Sequence, residues 1–401
     1  MRSGFRFDPP PVKVGAELRW LLWRAFGPAG ETLSNAGDVD ADAALALAGR
    51  FDLEARVGAR TPRVMLESEL GSKIAGRFHE EHAGAAVRSL LAGQVCRELA
   101  EAGRRLDVPL IFLKGAALQR LENVAPGSHN MSDVDVLAPE DGARRLQATL
   151  VKAGCKVYEG PESEHQLQLL THRLGLGIEV HKIIPGVRLV GESSSTAEEL
   201  IERGLVDPAQ DLGDGCWVPS EGIMLAHLLV HGIAQHGMAP GAYPMARMLA
   251  DVQDLEPGEE NWETASRWIG RDVSRNEVEA VAGLMRQLGA GEDPAEVTAG
   301  GDEAGALLRH VVAGVLNDGY ARSMKFRSLT AKPKDITQTL AFVKTVRGAM
   351  FPSRAQIDIL YGPPRSELGY WGWRLWRPFD LIGRTCRYGA AWVGQRFRFR
   401  N

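Results

Sequence analysis

The stretch Met131–Ala138 reads MSDVDVLA and places two aspartates, Asp133 and Asp135, in alternation with valines. Alternation with a period of two is typical of a β-strand, whose successive side chains point to opposite faces of a sheet. The valines are therefore predicted to face a core while both carboxylates share the other face. Because neighbouring carboxylates repel each other, a divalent cation would stabilise the pair, and hard oxygen ligands suit Mg²⁺ or Mn²⁺. The alternative is a solvated edge strand whose acidic face needs no ion.

The composition is that of a globular protein with unevenly distributed charge. A length of 401 residues is enough for two or three domains. Contents of 44% hydrophobic and 24% charged residues are ordinary for a globular protein. The net charge of −4 averages unlike segments, since residues 365–401 alone contain eight arginines against Glu367 and Asp380. Four scattered cysteines without a C-x-x-C pair favour a reduced, cytoplasmic setting. Neither a secretory signal nor an apolar run long enough for a transmembrane segment is evident, so we expect a soluble protein.

Periodicity divides the chain into four segments, and together they predict an α+β protein. Residues 1–104 show helical spacing, residues 105–185 combine short apolar runs with helices, residues 186–364 are again helical, and residues 365–401 form an Arg/Trp-rich tail. The second segment reads as βαβαβββ, which indicates a mixed sheet with flanking helices. Its predicted strands are Val108–Leu113, Met131–Ala138, Cys155–Tyr158, His165–Arg173 and Gly177–Ile184. In the third segment Ser220 is a predicted N-cap. The last helix predicted in this segment is Lys334–Met350.

Three features of the second segment predict a phosphoryl-transfer site. A strand ends in Lys114-Gly115, and a strand-to-helix turn with a lysine suits phosphate. The Asp133/Asp135 pair follows, and Glu179 then interrupts the apolar strand Gly177–Ile184. A third carboxylate beside such a pair is what a two-metal site needs, because metals neutralise a triphosphate and its leaving pyrophosphate. Each feature alone is weak, and a lone glutamate between apolar residues usually faces solvent.

The order of these motifs resembles a known family. KGAAL, HNMSDVDVLA, HQLQLLTHR and GIEVHK, in this order, are similar to the bacterial proteins called "uncharacterised nucleotidyltransferase", within the DNA polymerase beta-type nucleotidyltransferase superfamily. The resemblance covers most of residues 85–380. It implies a nucleotidyltransferase-type mixed sheet and a nucleoside monophosphate transferred from an NTP to an unidentified acceptor, which is a small molecule, peptide or protein. The alternative is a non-catalytic binding or scaffold protein with the same fold. Nucleic acid is possible as a partner but not favoured.

The resemblance also implies roles for individual residues. Asp133, Asp135 and Glu179 correspond to the catalytic carboxylates that hold Mg²⁺ or Mn²⁺. The positions implied to contact the nucleotide are Lys114, Gly115, Ala116, His129 and Ser132. Two of these depart from the family pattern, because Ala116 lacks a hydroxyl and His129 stands where arginine is common, which weakens a charge-based contact.

Five further histidines need separate interpretation. His181 follows Glu179 by two residues and shares its strand face, and His165 begins a neighbouring strand, so both are candidates for acceptor contact or for orienting a carboxylate. The other three lie in one apolar helical stretch, at His227, His231 and His236. Zinc binding there lacks a third ligand on the shared face, so a packing role is favoured.

The tail allows three interpretations. Arginines among tryptophans suit single-stranded RNA, a membrane surface or a partner protein. A tail whose tryptophans pack on the helical region is favoured, because Pro378 and the glycines at 369, 372 and 383 should break any long amphipathic helix.

The charge pair at Asp133 and Asp135 also predicts a stability effect. Asp135→Asn removes one of two neighbouring carboxylates. We expect it to leave the metal-free melting temperature unchanged or to raise it, because it relieves their repulsion.

Overall fold

The computed structural model describes residues 9–33, 38–121, 124–158, 162–189, 194–237, 245–270, 273–330, 350–351, 357 and 366–398. The N-terminal helices in this part of the chain are α1 (Ala16–Phe26), α2 (Ala41–Phe51), α3 (Glu54–Arg60) and α4 (Arg63–Leu106). The central elements are β1 (Leu110–Phe112), α5 (Lys114–Leu118), β2 (Asp133–Leu137), α6 (Glu140–Lys152), β3 (Lys156–Val157), β4 (Leu170–Thr171), β5 (Gly177–His181), α7 (Ala197–Glu202), β6 (Val206–Pro208) and β7 (Cys216–Pro219).

The C-terminal half is helical. Its elements are α8 (Glu221–Leu229), a π-helical continuation (Val230–His236), α9 (Met245–Leu255), α10 (Glu259–Trp268), α11 (Arg275–Gly289), α12 (Pro294–Ala299), α13 (Glu303–Leu316), α14 (Asp318–Thr330) and α15 (Glu367–Arg398). The predicted helix at Lys334–Met350 lies outside the described residues except for its last position. Helix α8 begins after Ser220 as expected, but the Ser220 side chain makes no capping hydrogen bond.

The sheet contains seven strands within the described residues, in the order β3-β4-β5-β2-β1-β7-β6. Strand β2 pairs parallel with β5 and antiparallel with β1, while β1 pairs parallel with β7. Helices flank this mixed sheet, which confirms the predicted α+β class. Strands β6 and β7 lie beyond residue 185 and were not predicted, and the predicted strands His165–Arg173 and Gly177–Ile184 are shorter in the structure.

Two apolar cores flank the sheet. The smaller one contains Val134 and Val136 of β2, both fully buried, with residues of α4 and α6. The larger core joins the N-terminal helices to the C-terminal half, since Phe26, Phe51 and Leu249 belong to the same buried cluster. The aspartates of β2 lie on the other face from these valines, as the alternation requires. The core thus fixes which side chains point at the site.

The tail is one helix, so the expected interruption is wrong. Helix α15 continues through Pro378, which lacks a backbone N–H, and through the glycines at 369, 372 and 383. Its tryptophans do not all pack inward, because Trp371 and Trp376 are more than half exposed. Among the described residues, no helix combines the length and apolar character needed to cross a bilayer.

Candidate functional site

The parallel register of β2 and β5 brings two carboxylates together. Asp135 pairs directly with Glu179, and Asp133 pairs with Gly177. Because paired residues of neighbouring strands point to the same face, Asp135 and Glu179 project into one cavity. Asp135 is 3% exposed, so its carboxylate is at the cavity floor, whereas Asp133 is half-buried nearer the rim.

Lys114 supplies a positive charge to these carboxylates. The Leu113 backbone N–H donates a 3.0 Å hydrogen bond to the Asp135 carbonyl, which extends the β1–β2 pairing to the residue before Lys114. The Lys114 ammonium then lies 2.7 Å from Asp135 Oδ1 and 3.9 Å from Glu179 Oε2. Lys114 has a φ of +48°, uncommon for a residue with a side chain. Since α5 has five residues, positive charge at this turn comes from the ammonium rather than from a long helix dipole.

His181 completes the floor of the cavity. Its Nε2 lies 2.8 Å from Asp135 Oδ1 and 3.4 Å from Glu179 Oε2. Burial alone would lower the pKa of His181, but hydrogen bonds to the two carboxylates raise it. Burial would likewise raise the pKa of Asp135, but Lys114 and His181 hold it well below its usual value. The floor is therefore a compact set of paired charges.

Asp133 has the opposite electrostatic environment from Asp135. Burial raises its pKa, and the neighbouring Asp135 carboxylate raises it further. The exposed Ser132 hydroxyl donates a long hydrogen bond of 3.4 Å to Asp133 Oδ1. In strand β2, the Asp135 carboxylate is therefore stabilised in its charged form by Lys114 and His181. The charged form of the Asp133 carboxylate is destabilised.

The cavity above these residues has a volume of about 630 Å³. Ligand sites of drug-sized molecules commonly have ~300–1,000 Å³, so a nucleotide fits this range. Six of the chain's ten histidines line it, within the part of the chain that the structure describes: His129, His165, His181, His227, His231 and His236. Burial, and the nearby His181, lower the pKa of His165.

A second charged cluster forms another wall. His129 Nδ1 lies 2.9 Å from Asp251 Oδ1, and its Nε2 lies 2.7 Å from Asp254 Oδ2. Burial alone would lower the pKa of His129, but these two aspartates raise it to about 9. The imidazole is thus protonated at neutral pH. Its charge is paired with two aspartates, and the weaker charge-based contact to a nucleotide expected from the change from arginine stays a prediction. Arg247 adds a guanidinium to this wall, 3.5 Å from Asp52.

Helix α8 and its π-helical continuation contribute a neutral wall. His227 and His231 have ring centroids 6.2 Å apart, and those of His231 and His236 are 4.5 Å apart. Burial lowers the pKa of all three, that of His231 to about 3, and the Lys114 ammonium lowers each further. The packing role predicted for these three histidines is therefore only part of their role, because their side chains also line the cavity.

The predicted site residues divide into those at the cavity and one that is not. Lys114, Gly115, Ser132, His129 and His165 line it, together with the three carboxylates and His181. Ala116 instead points into the smaller core and is 1% exposed. Its methyl group therefore takes part in packing. A hydroxyl at this position would not reach the cavity, so its absence does not change the cavity lining.

The donor set fits a divalent metal. Among the described residues, one group of three potential ligands has its donor atoms within 4.8 Å of one another, namely Asp135, Glu179 and His181. Asp133, the third predicted ligand, is outside this group. Carboxylate oxygens suit Mg²⁺ and Mn²⁺, and an imidazole nitrogen is more typical of Mn²⁺ and later transition metals. A metal bound here would take the place of the Lys114 ammonium beside Asp135.

Several cavity residues were not predicted from the sequence. Asp52, Arg247 and Asp251 come from α9 and from the residue after α2, far from β2 in the chain. One signal was available for the histidines of α8, since a helix that is apolar all round is buried, and polar residues within it need partners. Asp52 is the C-cap residue of α2 and has a φ of +55°. Nothing in its local sequence indicates that it lines a cavity.

The fold and site define a nucleotidyltransferase-type protein with an acidic floor and an interior lysine. A family described as "Uncharacterised nucleotidyltransferase" has a model that matches residues 37–263, more than half of the chain, and the chain belongs to that family. The match starts earlier and stops earlier than the resemblance drawn over residues 85–380, so helices α11–α15 lie outside it. A search of curated proteins gives no match.

Proposed function

We propose that this protein is a metal-dependent nucleotidyltransferase that transfers a nucleoside monophosphate from an NTP to a hydroxyl or phosphate of a separate acceptor. The observation that carries the proposal is the parallel β2–β5 register, which sets Asp135 beside Glu179 on the floor of a nucleotide-sized cavity. Family membership supports the same reaction class.

Each charged residue has a defined task in this proposal. Asp135 and Glu179 hold a divalent cation, with Asp133 at the rim for a second one and His181 fixing the Asp135 carboxylate. A bound Mg²⁺ or Mn²⁺ neutralises triphosphate charge and the leaving pyrophosphate. Lys114 and Arg247 place two further cations along the cavity, where phosphate oxygens would accept their hydrogen bonds.

A second candidate function follows from the position of Lys114. Its ammonium already neutralises Asp135 and approaches Glu179, so the carboxylates are paired without a metal. That arrangement favours a non-catalytic member of the family that binds an anionic ligand through Lys114 and Arg247. The two functions differ in whether the ligand requires a divalent cation.

The test measures metal-dependent NTP binding. We expect Mg²⁺ and an NTP together to raise the melting temperature of the wild type, since a ligand at 100 times its Kd stabilises by about 2.7 kcal/mol. Glu179→Gln keeps the side-chain shape but removes one ligand charge, so it should abolish most of this shift and the release of pyrophosphate with water as acceptor. Asp214→Asn, at an exposed turn residue, is the matched control and should behave as the wild type.

The alternatives give different outcomes. NTP stabilisation that is equal with Mg²⁺ and with a chelator would contradict the enzyme proposal and support the non-catalytic one. Equal Mg²⁺-dependent shifts in Glu179→Gln and Asp214→Asn would place the metal elsewhere.

A further inference from the structure

Helix α15 is anchored on one face. It begins after Ser366, whose hydroxyl accepts a 3.1 Å hydrogen bond from the Gly369 N–H. Tyr370 and Arg377, two turns apart, are both 8% exposed and define the packed face. Arg377 is paired with Asp380 at 2.9 Å, so the acidic residue in the middle of the helix is already neutralised.

The opposite face carries an exposed apolar stripe. Its members recur at intervals of three and four residues, which places them on one side of a helix. The stripe consists of Leu368, Trp371, Leu375, Phe379 and Ile382, exposed by 85%, 52%, 70%, 66% and 56%. Trp376 lies beside it and is 55% exposed. A contiguous apolar surface of this kind indicates an interaction site, because single exposed apolar residues are common but aligned ones are not.

Arginines lie at both borders of the stripe. Residues 365–401 contain eight arginines against Glu367 and Asp380, a net charge of +6. Arg374 lies at one border, with its guanidinium carbon 5.3 Å from the ring centroid of Trp371, and Arg387 is exposed on the other side. Long cationic side chains at the border of an apolar face can extend toward anionic groups while their stems cover apolar surface.

We propose that the exposed face of α15 binds the surface of an anionic phospholipid bilayer. The helix would lie in the interface plane, with the stripe inserted ~5–10 Å toward the acyl chains and the arginines at the phosphate groups. Tryptophan is enriched at this depth of a membrane because its ring is amphipathic. The catalytic cavity is built from other elements, so this surface is independent of the proposed function.

Two other partners fit the surface less well. Single-stranded RNA stacks on aromatic rings, but Leu368, Leu375 and Ile382 form much of the stripe and have no ring to stack on. A second copy of this chain would bring two arginine-rich segments together, and their like charges repel. An anionic bilayer satisfies both the aliphatic stripe and the charge.

The test is co-sedimentation of the full chain with vesicles. We expect the wild type to bind vesicles of phosphatidylglycerol and phosphatidylcholine, and to bind pure phosphatidylcholine much more weakly. Leu375→Ser should reduce binding by about tenfold, because one buried leucine contributes that much to partitioning. Leu90→Ser on α4 is the matched control, since Leu90 is also 70% exposed but lies outside the stripe, and it should bind as the wild type.

A salt titration of the wild type tests the charge without any substitution. Binding should weaken between low and high ionic strength, because screening reduces the attraction between arginine and phosphate. Equal losses in Leu375→Ser and Leu90→Ser would overturn the proposal. So would equal binding to anionic and neutral vesicles, or binding to a single-stranded RNA oligonucleotide with no binding to vesicles, or a dimer that Leu375→Ser dissociates.

Discussion

Asp133 and Asp135 are two residues apart on one strand, yet their carboxylates lie in opposite electrostatic environments. Asp135 accepts hydrogen bonds from both Lys114 and His181, whereas burial and a neighbouring carboxylate raise the pKa of Asp133. We expect Asp135→Asn to lower the metal-free unfolding free energy by about 3–5 kcal/mol, because it breaks a buried ion pair. This differs from the sequence-based expectation, which was an unchanged or raised metal-free melting temperature. The measurement is equilibrium urea unfolding in the presence of a chelator.

Asp133→Asn is the companion variant. It removes a charge that the folded state disfavours, so the metal-free stability should stay the same or rise by up to about 1 kcal/mol. If both variants destabilise the protein to the same extent, the different environments described for the two aspartates are not what governs stability.

His129 gives the protein a pH dependence in the mildly alkaline range. Its pKa is raised to about 9 by Asp251 and Asp254, against about 6.5 for an unperturbed histidine. A raised pKa stabilises the fold fully below pH ~6.5, and this contribution is lost as the pH rises through ~9, on the order of 3 kcal/mol in total. His129→Gln should flatten the decline in unfolding free energy between pH 6.5 and 9. A decline of unchanged slope in the variant would assign it to other groups.

At the scale of elements, α3 and α4 approach each other closely at one glycine. A Cβ added to Gly58 would lie 2.3 Å from the carbonyl oxygen of Phe78 on α4, and this backbone oxygen cannot rotate away. Gly58→Ala should therefore destabilise the protein by roughly 1–3 kcal/mol in thermal or urea unfolding. Gly76→Ala on α4 is the control, because nothing lies within 4 Å of the added carbon, and it should stabilise the helix by up to ~1 kcal/mol. Equal effects would mean that the helices move apart to accept the methyl group.

The sequence predicted the elements whose local pattern is strong. Strands β1, β2 and β5 and most helices follow from apolar runs and periodicity, and the class of sheet follows from their order. Strands β6 and β7 were missed because they are short and half-exposed, which leaves little pattern. The tail was mispredicted because Pro378 and three glycines are unfavourable in an isolated helix, whereas contact with a neighbouring helix can outweigh those local preferences.

The site was predictable only where a local strand or turn pattern marks its residues. The aspartates and Glu179 were found because strand alternation fixes the face of each side chain, and Lys114 was found from its strand-to-helix turn; all four line the cavity. The register that sets Asp135 beside Glu179 depends on pairing between distant strands and cannot be read from either one. Asp251 and Arg247 reach the cavity through helix packing, so their contribution appears only in three dimensions.

For the whole molecule, one buried arginine links the N-terminal helices to the cavity wall. The fully buried Arg56 donates to the Ala25 carbonyl and to Gln253, and pairs with Asp254 at 2.8 Å. Arg56→Met should lower the unfolding free energy by about 3–5 kcal/mol, because it leaves a buried carboxylate with one partner fewer. We also expect a larger pH dependence from His129, because Asp254 then has the His129 imidazole as its remaining charged partner. A wild-type pH profile in Arg56→Met would show that the two pairs act independently.

The ammonium of Lys114 already neutralises Asp135, and this has a consequence for the order in which metal and nucleotide bind. An ion entering alone must compete with a tethered cation of very high effective concentration, so free Mg²⁺ should bind weakly in calorimetric titration. A triphosphate changes that balance, because its oxygens offer Lys114 new acceptors and draw the side chain away from Asp135. The protein would then bind the preassembled metal–nucleotide complex and would bind little of the free Mg²⁺ in the cell.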